Sequence, residues 1–177
     1  MSRTADDKNP MFKKIFTVQH LLWYNTDKNA ARSKTMKSKK ADDSRTVMTE
    51  LVLSSHVNGS GRLFGGQLMS WMDIAGAVCA RRHSGCEVVT ASATDLNFYL
   101  PAVPNDLIVI TAELEDVGNT SMKVRITVEV EEFGGEEPVR RKTCGALFTY
   151  VALGPDGSKH RVPRLERIEK HQTAETV

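Results

Sequence analysis

Apolar residues along this chain follow two different periods. Between residues 121 and 131, Met122, Val124, Ile126, Val128 and Val130 alternate with Lys123, Arg125, Thr127, Glu129 and Glu131. A period of two belongs to a strand with one dry face and one wet face. Shorter or looser β-branched runs predict further strands at 46–53, 88–98, 107–117 and 140–153. Turn signals separate them: Pro101 and Pro104, Gly118 with Asn119, Gly134 and Gly135 with Pro138, and the GPDG of 154–157. Residues 67–80 break the period. Leu68, Met69, Trp71, Met72, Ile74, Ala75, Ala77, Val78 and Cys79 cover nearly every helical face there, which predicts a helix buried all round. Ser84 and Gly85 end it, and Arg81, Arg82 and His83 occupy its last turn, where positive charge complements the helix dipole.

The order is therefore one strand, one buried helix, then four strands on short connections. Antiparallel strands with an apolar face need a cover, and the long helix is the candidate for it. This predicts an α+β protein of the hotdog arrangement: a curved, antiparallel, five-stranded sheet wrapped around one long central helix. The folded domain is expected over residues 46–163, a length of chain that suits one core. Residues 164–177 read as a polar tail. Residues 1–45 lack a sustained period and have little to bury, so they read as a disordered basic arm without a core function. That arm holds eleven Lys and Arg against five Asp, so a chain of formal charge +2 divides into an arm of +6 and a body of −4. Any pull toward nucleic acid or a membrane surface would belong to the arm.

Three cysteines without metal-ligand spacing read as reduced thiols, which points to the cytoplasm. The apolar patch of residues 11–24 imitates a secretion signal, but Gln19 and His20 interrupt it and no small-residue cleavage site follows. No apolar run approaches the ~18 residues that span a bilayer, so no stable membrane insertion is expected.

Six fragments, in order, carry a likeness: NGSGRLFGG at 58–66, LMSWMD at 68–73, RHSG at 82–85, VVTA at 88–91, DLNFYLP at 95–101 and GNTS at 118–121. Together they resemble the acyl-CoA thioesterases of the hotdog superfamily, the small cytosolic acyl-CoA hydrolases. The resemblance covers the body and neither tail. It implies that Asn58 and Asp73 are the catalytic pair, and that the protein is a homodimer that often assembles further.

The chemistry can be followed on the residues. A thioester carbonyl under attack becomes an oxyanion, which needs donors already in place. Gly65 and Gly66 sit where the loop becomes the helix, so their N–H groups are among the orphan donors of a helix start, and without side chains they admit a close approach. Asp73 has Met69, Ser70, Gly76 and Ala77 as its helical neighbours, and none is a cation. It lies about 10 Å along the axis from Gly66 at about 1.5 Å per residue. Catalytic contact needs roughly 3 Å. Two antiparallel copies would let each helix start meet the other's carboxylate, so the spacing predicts a dimer with active sites across its interface. Asp73 would act as nucleophile or as general base, and Asn58 would orient water or thioester.

For the substrate's phosphates the candidates are Arg62, Arg82, His83, Thr120, Ser121 and Lys123, with Arg81 and Arg125 nearby in sequence. Phe98, Leu100, Trp71 and Met72 are candidates to line an acyl channel, although aromatic and Met residues at such positions are usually core. No metal cluster, P-loop, GxGxxG or GxSxG is present in the sequence, so no metal or cofactor is expected beyond the coenzyme A of the substrate. Two rival readings remain. One is a hotdog hydratase or dehydratase using His56 with Asp73. The other is a non-catalytic acyl-CoA sensor whose arm binds nucleic acid. The thioesterase reading expects no nucleic acid partner and a dispensable arm.

Overall fold

A computed structural model describes residues 37–133 and 138–166. Residues 1–36, the Gly134 and Gly135 connection, and the tail beyond 166 lie outside the described residues. The expected elements form in the expected order: β1 (Thr46–Leu51), α1 (Gly65–Ser84), β2 (Glu87–Phe98), β3 (Leu107–Val117), β4 (Ser121–Glu132) and β5 (Val139–Leu153). The four pairings among these strands are antiparallel and the strand order is β1-β3-β4-β5-β2. The sheet wraps α1, which is the hotdog arrangement. No described helix is long and apolar enough to cross a membrane.

The alternation of β4 becomes the centre of the core. Met122, Val124, Ile126 and Val128 are fully buried, and Val130 nearly so. They pair in register with inward residues of β3 (Ile108, Ile110, Ala112, Leu114) and β5 (Cys144, Phe148, Tyr150). The three cysteines are unpaired. In β1 the inward residues are Thr46 and Met48, because they stand opposite buried Ala112 and Ile110; Val47 and Leu51 consequently face out.

The helix departs from the expectation of burial all round. Leu68, Trp71, Met72, Ala75, Gly76, Cys79 and Ala80 are buried, but Gly66, Ser70 and Ile74 form an open stripe on the other side. One curved sheet can cover only part of a helix circumference. The uncovered stripe adjoins β2, a sheet-edge strand that is exposed along most of its length. Gly85, left-handed at φ 69°, stops the helix and donates its N–H to Arg81 O at 2.8 Å.

The folded unit also begins before Thr46. Residues 37–45, expected to be part of the disordered arm, lie against the end of α1. Lys39 Nζ donates to Arg82 O (3.1 Å) and His83 O (2.7 Å), which places a cation on the helix's orphan carbonyls. The Lys39 backbone pairs with Arg164 and Glu166, so the expected tail is ordered for at least three residues. The expectation of a dispensable arm therefore does not extend to residues 37–45.

Candidate active site

The glycine-rich loop is shaped by Asn58. Its Oδ1 accepts the backbone N–H of Ser60 (2.9 Å) and of Arg62 (3.2 Å), while its own backbone N–H donates to Arg62 O (2.8 Å). Gly61 closes the turn at φ 69°, a conformation that side chains disfavour. Phe64 N donates to His56 O and Leu63 N to Ala102 O, which sews the loop to the body. With Oδ1 engaged, the Asn58 amide nitrogen has no protein acceptor among the described residues and is free to donate.

Phe64 is the N-cap of α1, and its side chain cannot cap. Among the described residues neither Gly65 N–H nor Gly66 N–H has an acceptor, so both remain open donors. A Cβ built on Gly65 would stand 3.5 Å from Phe98 Cζ, which places the helix start against the end of β2. Beside it lies a cavity of about 300 Å³, with Asn58, Arg62, Leu68, Phe98, Tyr99 and Leu100 in its lining. Phe98 is half exposed.

Asp73 is two turns away at the other end of β2. Thr90 Oγ1 donates to Asp73 Oδ1 at 2.6 Å, and the Tyr150 hydroxyl lies 3.2 Å from the same oxygen and 3.0 Å from the Asp73 carbonyl. Oδ2 has no protein donor among the described residues. Burial, and after it the Asp73 charge and hydrogen bond, push the Tyr150 phenol well above its usual value, so it stays a donor. The sequence reading passed over both Thr90 and Tyr150. Thr90 was in view inside the VVTA fragment. Tyr150 carried no local signal, because it meets Asp73 through the register of β2, β5 and β4, in which Thr90, Tyr150 and Met122 share one row.

The remaining candidates are scattered. Thr120 and Ser121 lie in and beside the β3–β4 turn, next to that row and so at the Asp73 end, with Ala152 N donating to Thr120 O. Lys123 is exposed on the outer face of the sheet, away from α1, because Met122 and Val124 take the inner positions. Arg125 is similarly held by Glu115 at 2.6 and 3.0 Å. Arg82 donates to Thr46 Oγ1 (2.9 Å) and Arg45 O (3.1 Å) at the far end of the helix. His83 is fully buried, with Nε2 2.9 Å from Pro163 O and Nδ1 3.5 Å from Ser44 Oγ, and offers a phosphate no open side. Trp71 and Met72 are core.

His56 does not reach Asp73 of the same chain. Its Nδ1 accepts Leu53 N–H at 3.2 Å, and its ring packs edge-on against Trp71 with centroids 5.1 Å apart. Trp71 and Asp73 point about 200° apart around the helix at about 100° per residue.

Comparison with known proteins agrees with the fold. The thioesterase superfamily profile matches residues 60–134. The acyl-CoA thioester hydrolase YciA of Salmonella typhimurium is 36% identical over 119 residues, covering 66% of this chain and 89% of that protein. A hexameric acyl-CoA thioesterase of known structure is 30% identical, with a TM-score of 0.70 over 76% of this chain and 85% of that one. Structures of an acyl-CoA hydrolase from Staphylococcus aureus are 25–26% identical, with TM-scores of 0.69–0.70 over 73–74% of this chain and 77–78% of that one. Three of these carry an alanine in place of an asparagine, an aspartate or a threonine. In that hydrolase the asparagine precedes the aspartate by 15 residues, and the threonine follows it by 17. Asn58, Asp73 and Thr90 have the same two spacings.

Proposed function

The chain belongs to the thioesterase superfamily, and from that membership we propose that it hydrolyses acyl-CoA thioesters to a free acid and coenzyme A, at sites shared between two copies. The observation that carries this reading is the Asn58–Asp73–Thr90 set, which has the spacing of the three residues replaced in the staphylococcal hydrolase. The same hydrolase has been seen with butyryl coenzyme A, which supports an acyl-CoA substrate here.

The donors and the carboxylate belong to opposite ends of β2. From Gly66 to Asp73 is seven residues of helix, or about 10 Å at ~1.5 Å per residue. A lone protomer leaves them apart. An antiparallel pairing of β2 with a second copy, centred near Thr94, sets Thr90 of each copy opposite Phe98 of the other. That carries each Asp73 toward the other copy's Gly65 and Gly66. The exposed edge of β2 and the open Ile74 stripe of α1 are the surfaces such a pairing covers.

In this arrangement Asp73 Oδ2 attacks the thioester carbon, or takes a proton from the water that does. The carbonyl oxygen gains the charge and is met by the Gly65 and Gly66 N–H groups at the positive end of the helix. Collapse expels the coenzyme A thiolate, which leaves as the thiol once protonated. In the nucleophilic route water then cleaves the aspartyl anhydride. The free Asn58 amide nitrogen orients the thioester or the water. Arg62 in the lining of the cavity, with Thr120 and Ser121 beyond Asp73, would meet the coenzyme's phosphates, and Phe98 would meet the acyl group.

The test is complementation. Asp73→Asn and Asn58→Ala should each lower thiol release at least ~10²-fold, as expected for losing a positioned catalytic group. Mixed and re-equilibrated at equal amounts, half the dimers carry one intact shared site, so about a quarter of wild-type activity should return. A mixture as inactive as its components would rule out sites shared in this way. A wild-type protein that hydrates double bonds without releasing thiol would rule out the thioesterase reading.

A further inference from the structure

Gly76 is an expensive residue where it stands. Glycine within a helix costs about 1 kcal/mol relative to alanine, and Gly76 has eleven residues of helix before it and eight after. The structure gives the reason. A Cβ at Gly76 would collide with the hydroxyl and ring of Tyr150, whose side chain lies across the helix at that point. Tyr150 is fully buried, projects inward from β5, and ends on the Asp73 carboxylate and carbonyl. Any side chain at position 76 would hold it off the helix.

Resting on the thioesterase reading above, we propose that Tyr150 is a positioning residue for Asp73, admitted by Gly76. Thr90 and Tyr150 converge on one carboxylate oxygen, Oδ1, from two adjacent strands, which fixes the rotation of the carboxylate about its bond to Cβ. Oδ2 is thereby turned away from both donors and presented to the reacting carbon. Thr90 alone leaves the carboxylate free to swivel about a single hydrogen bond. Tyr150 supplies the second point of the hold, its single proton shared between Oδ1 and the Asp73 carbonyl, which ties that hold to the helix backbone. Tyr150 touches no reacting atom in this arrangement and acts through Asp73.

The effect expected is on turnover and not on binding. In the full-length protein, Tyr150→Phe keeps the ring over Gly76 and removes only the hydroxyl. With the acyl-CoA that the wild type turns over fastest, kcat should fall about 10- to 100-fold, as for a reacting group displaced by a fraction of an ångström to an ångström. KM should stay within about twofold. Gly76→Ala should lower kcat to a similar extent, and in the Tyr150→Phe background should lower it little further, because both changes remove the same contact. An unchanged kcat for Tyr150→Phe overturns the proposal. So does a matching rise in KM, which would indicate a general loss of site shape. A crystal structure of Tyr150→Phe decides the question independently of activity. Asp73 should be spread over more than one rotamer or turned from Thr90, and a single unchanged rotamer overturns the proposal. A wild type without thiol release would defeat the thioesterase reading alone, while the rotamer result would still decide whether Tyr150 holds Asp73.

Discussion

Where β2 begins, near Thr90, the helix is gripped: two hydroxyls hold one carboxylate oxygen, and a glycine lets an aromatic ring lie against the backbone. Where β2 ends, near Phe98, the helix is open. Its N-cap cannot cap, its first two N–H groups are unclaimed among the described residues, and a cavity of about 300 Å³ adjoins them. The closed end holds Oδ1 of Asp73 with two donors of the same chain and leaves only Oδ2 open, so substitutions there should disturb geometry and stability together. The open end keeps donors for a ligand, so substitutions there should disturb binding and leave the fold alone. A site that must both fix a charge and admit a substrate can separate the two tasks in space. In the pairing proposed above, a second copy would reunite them.

The sharpest break of this contrast is at the closed end. Thr90→Ala removes the 2.6 Å hydrogen bond to Oδ1 and should lower kcat about 10²-fold with little change in KM, measured by thiol release. At the open end, Phe98→Ala should do the reverse. It should raise KM about 10-fold, in keeping with the ~1–3 kcal/mol that a hydrophobic contact contributes to selecting a substrate. Its urea midpoint should match the wild type. A large stability loss for Phe98→Ala would show the open end to be core after all.

Gly76→Ala sharpens the comparison through stability. Helix propensity alone would stabilise this variant by about 1 kcal/mol. Overpacking against Tyr150 should instead cost about 1–3 kcal/mol, seen as a lower urea midpoint at unchanged slope. The sign is the test.

The smallest effect lies away from β2, at the clasp on the end of α1. Burial holds His83 below its ordinary value of 6.5, against the raising effect of its hydrogen bond to the Pro163 carbonyl, with Lys39 lowering it and Asp43 raising it. As pH falls, the unfolded chain therefore takes up its proton first. The contribution of neutral His83 is complete above pH 6.5 and is lost as pH falls from there toward the folded-state value. Urea midpoints should decline over that window in the wild type, and the decline should be shallower in His83→Gln.

Much of this was legible in the chain. Strict alternation in β4 gave its dry face residue by residue, because the period of two is a property of the backbone. Gly85 gave the helix end through its left-handed conformation. The separation of Gly65 and Gly66 from Asp73 along the helix followed from helical rise. His83 misled because three basic residues in a last turn look alike in sequence, whereas only one of them points beneath Ser44 and Pro163. Lys123 misled because the likeness of a hairpin does not say which face its residues take. Residues 37–45 misled because the contacts that hold them to the body lie far along the chain, and composition does not report those.

Local rules thus determined the elements, their order, the turn and cap residues, and the isolation of Asp73 on its own helix. Each of these depends on interactions within a few residues. What holds Asp73 was decided by tertiary structure. Thr90 and Tyr150 lie 17 and 77 residues away, and they converge only because antiparallel register places β2 beside β5 under the helix. The same is true of the open stripe on α1, since how far a sheet wraps a helix depends on curvature summed over five strands. A periodic sequence can specify a face, but only packing determines what that face meets.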